Sequence, residues 1–372
     1  MANIGVLGAG TWGMALARML CNSGNCVTVW SALEREVDEF SATRRHPYLP
    51  GMEIPEDLLF TKNIEEVCRD KEILLFAVPS PFVRATAGKA APYIKDGQII
   101  VDVAKGIEAD TLFTMTQIIA DELKNPGIKL VALSGPTHAE EVAKDLPTTI
   151  VSACSDLTAA EYVQNIFGNT CMRVYTNDDV PGVELCGAMK NIIALASGVA
   201  LGLGYGDNTK AALITRGMAE IARLGMAMGC KPQTFYGLAG IGDLIVTATS
   251  VHSRNNRCGL LLGQGMAPQD AIAKVGMVVE GINALPAAMK LAETYSVEMP
   301  IVTAVNAVVN QGADPREAVA KLMARDQTTE FVHLEFTYSH QHRWEFVLQL
   351  ESAHDKMTVS AILCERGVFY GI

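Results

Sequence analysis

Two hydrophobic rhythms divide the chain. Over the first half, short apolar runs alternate with helical periodicity: residues 4–7, 26–30, 72–78, 98–103 and 130–133 read as strands. Residues 14–20, 82–93 and 111–123 read as helices. Such alternation predicts a parallel, doubly wound sheet whose ligands bind beyond the carboxyl ends of the strands. Residues 148–153 and 172–175, around a helix over 157–167, extend the same sheet. From Val183 onward the pattern is almost wholly helical, which places a boundary near Pro181-Gly182. The chain thus divides into 1–182, 183–330 and a remainder, 331–372, that does not continue the preceding pattern.

The stretch from Glu184 to Asn208 organises the second half. Leu185, Met189, Ile192, Ala196, Val199 and Leu203 recur at helical spacing as a buried stripe. Gly187, Ala194, Ser197 and Gly198 gather on roughly the opposite face, where another backbone or a ligand can approach, and Lys190 stands among them. A lysine there must pair with an anion, snorkel to water, or lose its proton more readily than in solution.

After a turn in which Asp207 is a plausible N-cap, a helix over 209–228 buries Leu213, Met218, Ile221 and Leu224. Its polar side carries Arg216, Glu220 and Arg223, spaced for ion pairs. Gly237-Leu238-Ala239-Gly240-Ile241-Gly242-Asp243-Leu244 places one carboxylate in a glycine-rich apolar run. Asp243 reads either as a helix N-cap or as the anion that orients Lys190, with Thr247 following on the same face. Further on, Ser253, Arg254 and Asn255 precede a helix through residues 260–262. Amide groups and an arginine fork could converge there on one phosphate, and a solvated helix start is the plain alternative. Residues 277–281 interrupt the helical pattern before helices over 282–293 and from 302, and a conventional core ends near residues 323–326.

At the N-terminus, the first strand runs into Gly8-Ala9-Gly10-Thr11-Trp12-Gly13 and then a helix. Strand, glycine turn and helix in that order mark a dinucleotide site: Gly8 for the turn, Gly10 for approach to a pyrophosphate, Gly13 for helix packing. After the second strand, where an acid or an arginine distinguishes the two common dinucleotides, stand Ser31, Ala32, Leu33, Glu34 and Arg35. The last two read as the start of a solvated helix. At three further strand ends lie Val78-Pro79-Ser80-Pro81, Ala104-Lys105-Gly106 and Ser134-Gly135-Pro136-Thr137-His138-Ala139. Lys105 reads as a loop lysine when taken singly and as an ammonium for an anionic substrate when placed in the crevice. Gly135 and Thr137 can offer hydrogen bonds in the same place. His138 reads as structural, and nothing singles out His252.

Composition narrows the choices. The chain has 372 residues, of which 49% are hydrophobic and 19% charged, so it is globular with room for two cores. A net charge of -11 argues against nucleic acid or an anionic membrane as principal partner. Nine cysteines without a CxxC pair fit free thiols in a reducing compartment, and no secretory leader is evident, so the expected location is cytoplasmic and no membrane insertion is expected. His333, His340, His342 and His354 match no standard metal-site spacing, and no metal is expected.

These segments, in order, resemble the bacterial-type NAD(P)-dependent glycerol-3-phosphate dehydrogenases over about residues 2–330: GAGTWG, AKGIE, LSGPTHAEEVA, GAMKNIIALASGVALGLGYGDNTKAALITRG, GLAGIGDLIVTATSVHSRNNR and GMVVEG. The resemblance implies an N-terminal Rossmann-type domain with a mostly parallel sheet, an all-α C-terminal domain and a homodimer. It implies reversible reduction of dihydroxyacetone phosphate to sn-glycerol 3-phosphate for glycerophospholipid synthesis, with NAD or NADP as cofactor. It makes Lys190 the general acid/base, with Lys105 and Asp243 beside it. Gly135, Thr137, Ser253, Arg254 and Asn255 fall at substrate positions, and Asn191 and Thr247 line the site. Thr11, Trp12, Lys105, Ala139, Arg254, Val278 and Glu280 match positions that touch the cofactor.

Three departures stand out. Ala32 and Leu33 replace a basic residue common in relatives, which leaves the choice between NADH and NADPH open. Ala104 replaces a serine, and residues 331–372 extend past the usual end. Two other readings compete: a 3-hydroxyacid or 6-phosphogluconate type dehydrogenase, and a non-catalytic dinucleotide-responsive regulator. A sensor needs only the cofactor half, so Lys105, Lys190, Asp243 and Arg254 together speak for chemistry.

Overall fold

Runs of apolar residues too short for a helix make a sheet whose inner strands are buried on both faces. The strands are β1 (Asn3–Leu7), β2 (Cys26–Trp30), β3 (Leu59–Thr61), β4 (Ile73–Phe76), β5 (Ile99–Asp102), β6 (Lys129–Ser134), β7 (Thr148–Ala153) and β8 (Met172–Asn177). Their order is β3-β2-β1-β4-β5-β6-β7-β8. Every pairing is parallel except β6 with β7. Successive connections leave β1 in opposite directions, so a crevice opens at the carboxyl ends of β1 and β4, the place where such sheets bind ligands. Helices α1 (Thr11–Asn22), α2 (Glu34–Thr43), α3 (Ile64–Cys68), α4 (Val83–Ala90), α5 (Met115–Leu123), α6 (Ala139–Val142) and α7 (Leu157–Gly168) connect the strands. The computed structural model describes residues 1–330 and, beyond them, the backbone of three strands.

The helical half comprises α8 (Val180–Gly202), α9 (Asp207–Ala227), α10 (Pro232–Phe235), α11 (Asp243–Thr249), α12 (Arg254–Gly263), α13 (Pro268–Val275), α14 (Glu280–Thr294), α15 (Pro300–Asn310) and α16 (Pro315–Met323). Its core is α8, buried on every side from Gly182 to Ala200. The striped helix expected from periodicity is therefore a central one. Its face of small residues meets α12. A Cβ on Gly198 would strike the Asn256 carbonyl, and one on Gly259 would strike the Leu195 carbonyl, so the two backbones lie in direct contact. Although Val180–Gly202 is long and apolar enough to cross a membrane, 89% of its apolar window is buried inside the fold.

Several boundaries differ from the sequence reading, each for a local reason. The helix expected from residue 111 begins at Met115, because Thr114 and Gln117 form a reciprocal capping box. Gly206, not Asp207, is the N-cap of α9, and Asp207 pairs instead with Lys210 at 2.9 Å. Glu220, expected on a polar face, is buried and accepts from the amides of Ile301 and Val302 at 2.8 and 3.3 Å, capping α15. The three-residue β3 and one-turn α3 lie in a polar, proline-punctuated stretch too brief to show a period. Pro181 and Gly182 lie in the first turn of α8, whose N-cap Asp179 accepts from the Gly182 amide.

Met1–Ala324 form one compact unit and Arg325–Ile372 a second. In the second, β9 (Glu345–Leu348), β10 (Ala361–Glu365) and β11 (Val368–Tyr370) pair antiparallel with β10 at the centre. His333, His340, His342 and His354 lie outside the described residues.

Candidate active site

One buried carboxylate gathers the site. Gly242 occupies the N-cap of α11, which leaves Asp243 in the first turn with its side chain turned inward and 1% exposed. Its Oδ1 lies 2.7 Å from Lys190 Nζ and its Oδ2 2.6 Å from Lys105 Nζ. The N-cap alternative for Asp243 is thereby corrected; Lys105 does lie in a loop, after β5, but its side chain is largely buried and paired, not a surface one. Lys105 also donates to the Gly135 carbonyl at 3.1 Å, which accepts from the Thr137 hydroxyl at the same distance. The Lys105 stem runs past Gly187, where an added Cβ would lie 3.4 Å from its Cγ and 3.2 Å from Ser134 Oγ. Lys190 donates as well to Thr247 Oγ1 at 2.6 Å, and that hydroxyl donates to the Asp243 carbonyl at 2.7 Å. Strand end β5, the loop after β6, core helix α8 and helix α11 thus supply one hydrogen-bonded cluster.

Electrostatics follow from burial. Lys190 is pulled down to about 8, chiefly because its ammonium is removed from water; Asp243 opposes this, and Lys105 and Arg254 add to it. Burial by itself would raise Asp243, but the two flanking lysines outweigh it and hold its carboxyl below the usual range. The site therefore stores a buried ammonium that loses its proton more readily than an ordinary lysine.

A second chain of contacts braces this cluster. Asn191 accepts from Asn255 Nδ2 at 2.9 Å, and Asn255 Oδ1 accepts from the Gly281 amide at 2.8 Å, tying α8, α12 and α14 together. Ser253 is the N-cap of α12, accepting from the Asn256 amide at 3.2 Å. Arg254 is the first residue of that helix, so its guanidinium and the helix start share one end. His138 Nε2 stands 3.5 Å from the Val246 carbonyl, and its ring lies 6.0 Å from that of His252. Burial and Lys190 lower His138.

At the N-terminus, the glycine turn has the form a dinucleotide requires. Gly8 has φ +120° and a Cβ there would meet the Ala77 carbonyl oxygen at 2.7 Å. A Cβ on Gly10 would meet nothing within 4 Å, and one on Gly13 would collide with the Gly8 carbonyl. The turn is thus tight at its first glycine, open at its second and in contact with α1 at its third, which fits a pyrophosphate at the α1 N-terminus. Thr11 and Trp12 are half-buried at the start of α1, and Ala139 begins α6. Val278 is half-buried before α14, and Glu280 begins that helix. After β2, Ser31 donates to Glu36 at 2.6 Å, and Glu34 faces Lys62 at 3.6 Å in the solvated first turn of α2.

Residues 3–160 match the family described as NAD-dependent glycerol-3-phosphate dehydrogenase N-terminus, and residues 179–320 match the corresponding C-terminus. The chain belongs to the NAD-dependent glycerol-3-phosphate dehydrogenase family. It is 67% identical over 334 residues to glycerol-3-phosphate dehydrogenase (NAD(P)+) 2 of Lactobacillus delbrueckii subsp. bulgaricus, covering 89% of this chain and 99% of the relative. It is 50% identical over 337 residues to glycerol-3-phosphate dehydrogenase (NAD(P)+) of Agathobacter rectalis, covering 90% of this chain and 100% of the relative. Among solved structures, glycerol-3-phosphate dehydrogenase from Coxiella burnetii superposes with a TM-score of 0.83 at 36% identity, over 87% of this chain and 99% of that one. The Rossmann-type N-terminal domain and the helical C-terminal domain agree with that family.

Two residues of this family member escaped the sequence reading. Glu184, on α8, is buried and accepts from Thr114 Oγ1 at 2.7 Å, the Thr116 amide at 2.8 Å and Thr116 Oγ1 at 2.5 Å. It clamps the helix bearing Lys190 to the start of α5. Ser80 donates its amide and hydroxyl to Glu280, 200 residues away, at 3.1 and 2.6 Å. The Pro79-Ser80-Pro81 segment marks the strand end in sequence, but only the fold supplies the partner.

Proposed function

We propose that the protein catalyses reversible, NADH- or NADPH-dependent reduction of dihydroxyacetone phosphate to sn-glycerol 3-phosphate, supplying glycerophospholipid synthesis. The Lys105–Asp243–Lys190 bridge carries this reading, since it sets two ammonium groups beside the crevice of a dinucleotide-binding sheet. The reduced dinucleotide, when bound on Gly8, Gly10, Thr11, Trp12 and Gly13 with Lys105, Ala139, Arg254, Val278 and Glu280 along its length, supplies hydride. Lys190 donates the proton that the developing alkoxide requires and accepts it in the reverse direction. Asp243 and Thr247 fix its direction, and Lys105 with Gly135, Thr137 and Asn191 holds the carbonyl end. Ser253, Arg254 and Asn255 anchor the phosphate, so that a non-reacting group positions the reacting one.

We assign residues 1–182 to the cofactor domain, 183–330 to the substrate domain and 331–372 to an extension. We also infer a cytoplasmic homodimer without membrane insertion; the eight free cysteines among the described residues suit a reducing compartment. The test is loss of NADH or NADPH absorbance on adding dihydroxyacetone phosphate, run with each cofactor. Lys190→Ala should abolish turnover and leave dinucleotide binding nearly intact. Unchanged turnover would remove Lys190 from its role.

A further inference from the structure

We propose that Ser80 is a positioning residue of the dinucleotide site, acting by fixing the carboxylate of Glu280. The inference rests on the reading that Glu280 touches the cofactor. A bare carboxylate beside a dinucleotide must meet its hydrogen-bond donors, the ribose hydroxyls, the nicotinamide carboxamide or the adenine amine, because the pyrophosphate would repel it. At the start of α14 a glutamate on the protein surface would rotate freely. Here it is held from below: the Ser80 amide donates to Oε1 at 3.1 Å and the Ser80 hydroxyl to Oε2 at 2.6 Å. Asn283 Nδ2 approaches Oε2 from the next turn at 3.4 Å.

Ser80 is itself immobilised. It follows β4 in the short helical turn Ser80–Phe82, flanked by Pro79 and Pro81. It also abuts the loop that carries Lys105, since a Cβ on Gly106 would fall 2.5 Å from the Ser80 Cβ. A carboxylate offers about four acceptor positions, so Glu280 keeps capacity for ligand hydroxyls after satisfying Ser80. The clasp joins the turn after β4 to the start of α14, next to the loop that carries Lys105.

The experiment is a double-mutant cycle on the full chain with Ser80→Ala, Glu280→Ala and the double variant. Calorimetric titration gives Kd for the reduced dinucleotide, and steady-state kinetics gives KM for dihydroxyacetone phosphate. Ser80→Ala should weaken dinucleotide binding about tenfold, as expected for one charge-assisted hydrogen bond, with substrate KM within about twofold at saturating cofactor. The double variant should bind no worse than Glu280→Ala alone, because Ser80 acts through that residue. If Glu280→Ala weakens binding and Ser80→Ala does not, the role of Ser80 is overturned while the cofactor role of Glu280 survives. If Glu280→Ala leaves binding unchanged, that underlying reading fails, and the inference with it. Additive losses, or a Ser80→Ala loss that tracks a fall in Tm, would show a structural serine and also overturn it.

Discussion

Neutralising Asp243 is the sharpest probe of the lysine cluster. Asp243→Asn keeps the shape of the side chain, but its amide nitrogen turns a donor toward one of two ammonium groups now 2.6 and 2.7 Å from an acceptor. Across 2.7 Å, at an effective dielectric constant near 20, the attraction between Lys190 and Asp243 is about 6 kcal/mol before desolvation is counted. Most of that gross attraction offsets the removal of both charges from water. If a quarter survives as net preference for the charged lysine, its loss lowers the Lys190 pKa by about one unit, at about 1.4 kcal/mol per unit.

The direction follows from sign. Lys190 serves reduction when protonated, so activity falls as pH rises through its value of about 8. In Asp243→Asn that descending limb should move to lower pH, with kcat reduced roughly 10²- to 10⁴-fold as the proton donor is lost and misaligned. Urea unfolding should show a loss of about 3–5 kcal/mol, the usual cost of leaving a buried charge without its partner. Rates of reduction across the pH range, with unfolding measured in parallel, provide the assay. A limb that stays in place or moves to higher pH would refute the electrostatic account of Lys190.

Other perturbations follow from the same geometry. Lys105→Met removes a positive charge that lowers Lys190, so its descending limb should move to higher pH, opposite to Asp243→Asn, even as kcat falls; a pH–rate profile reads the sign. Arg254→Ala should raise the KM for dihydroxyacetone phosphate about tenfold or more, since a guanidinium fork on a phosphate is lost, and an unaffected KM would remove the phosphate role. Glu184→Ala would leave the donors of Thr114 and Thr116 without their acceptor in a buried place and should cost about 1–3 kcal/mol in a urea titration.

Periodicity and glycine spacing were sufficient for the larger pattern. The alternation of strands and helices in the first half dictated the doubly wound sheet, and the spacing of Gly8, Gly10 and Gly13 marked the turn: a side chain would clash at Gly8 and at Gly13, while Gly10 faces open space. Lys190 stood out on an apolar helix, but pairing, snorkelling and proton loss all remained open there until the fold placed Asp243 beside it. Short elements escaped, since a three-residue β3 carries no readable period. The polar side expected for α9 misled at Glu220, because a buried carboxylate that caps another helix looks, in sequence, like a solvated one. What only the tertiary structure decided was pairing. Asp243 could have capped its own helix, and Lys105 could have sat in water. Contacts across 53 and 138 residues bring them to one carboxylate. Ser80 and Glu280 meet over a still longer separation. Local sequence fixes which residues share a helix face, but it carries no information on which of two distant charges will lose its water to the other; that depends on where the packed backbones, here α8 on α11 and on α12, exclude solvent.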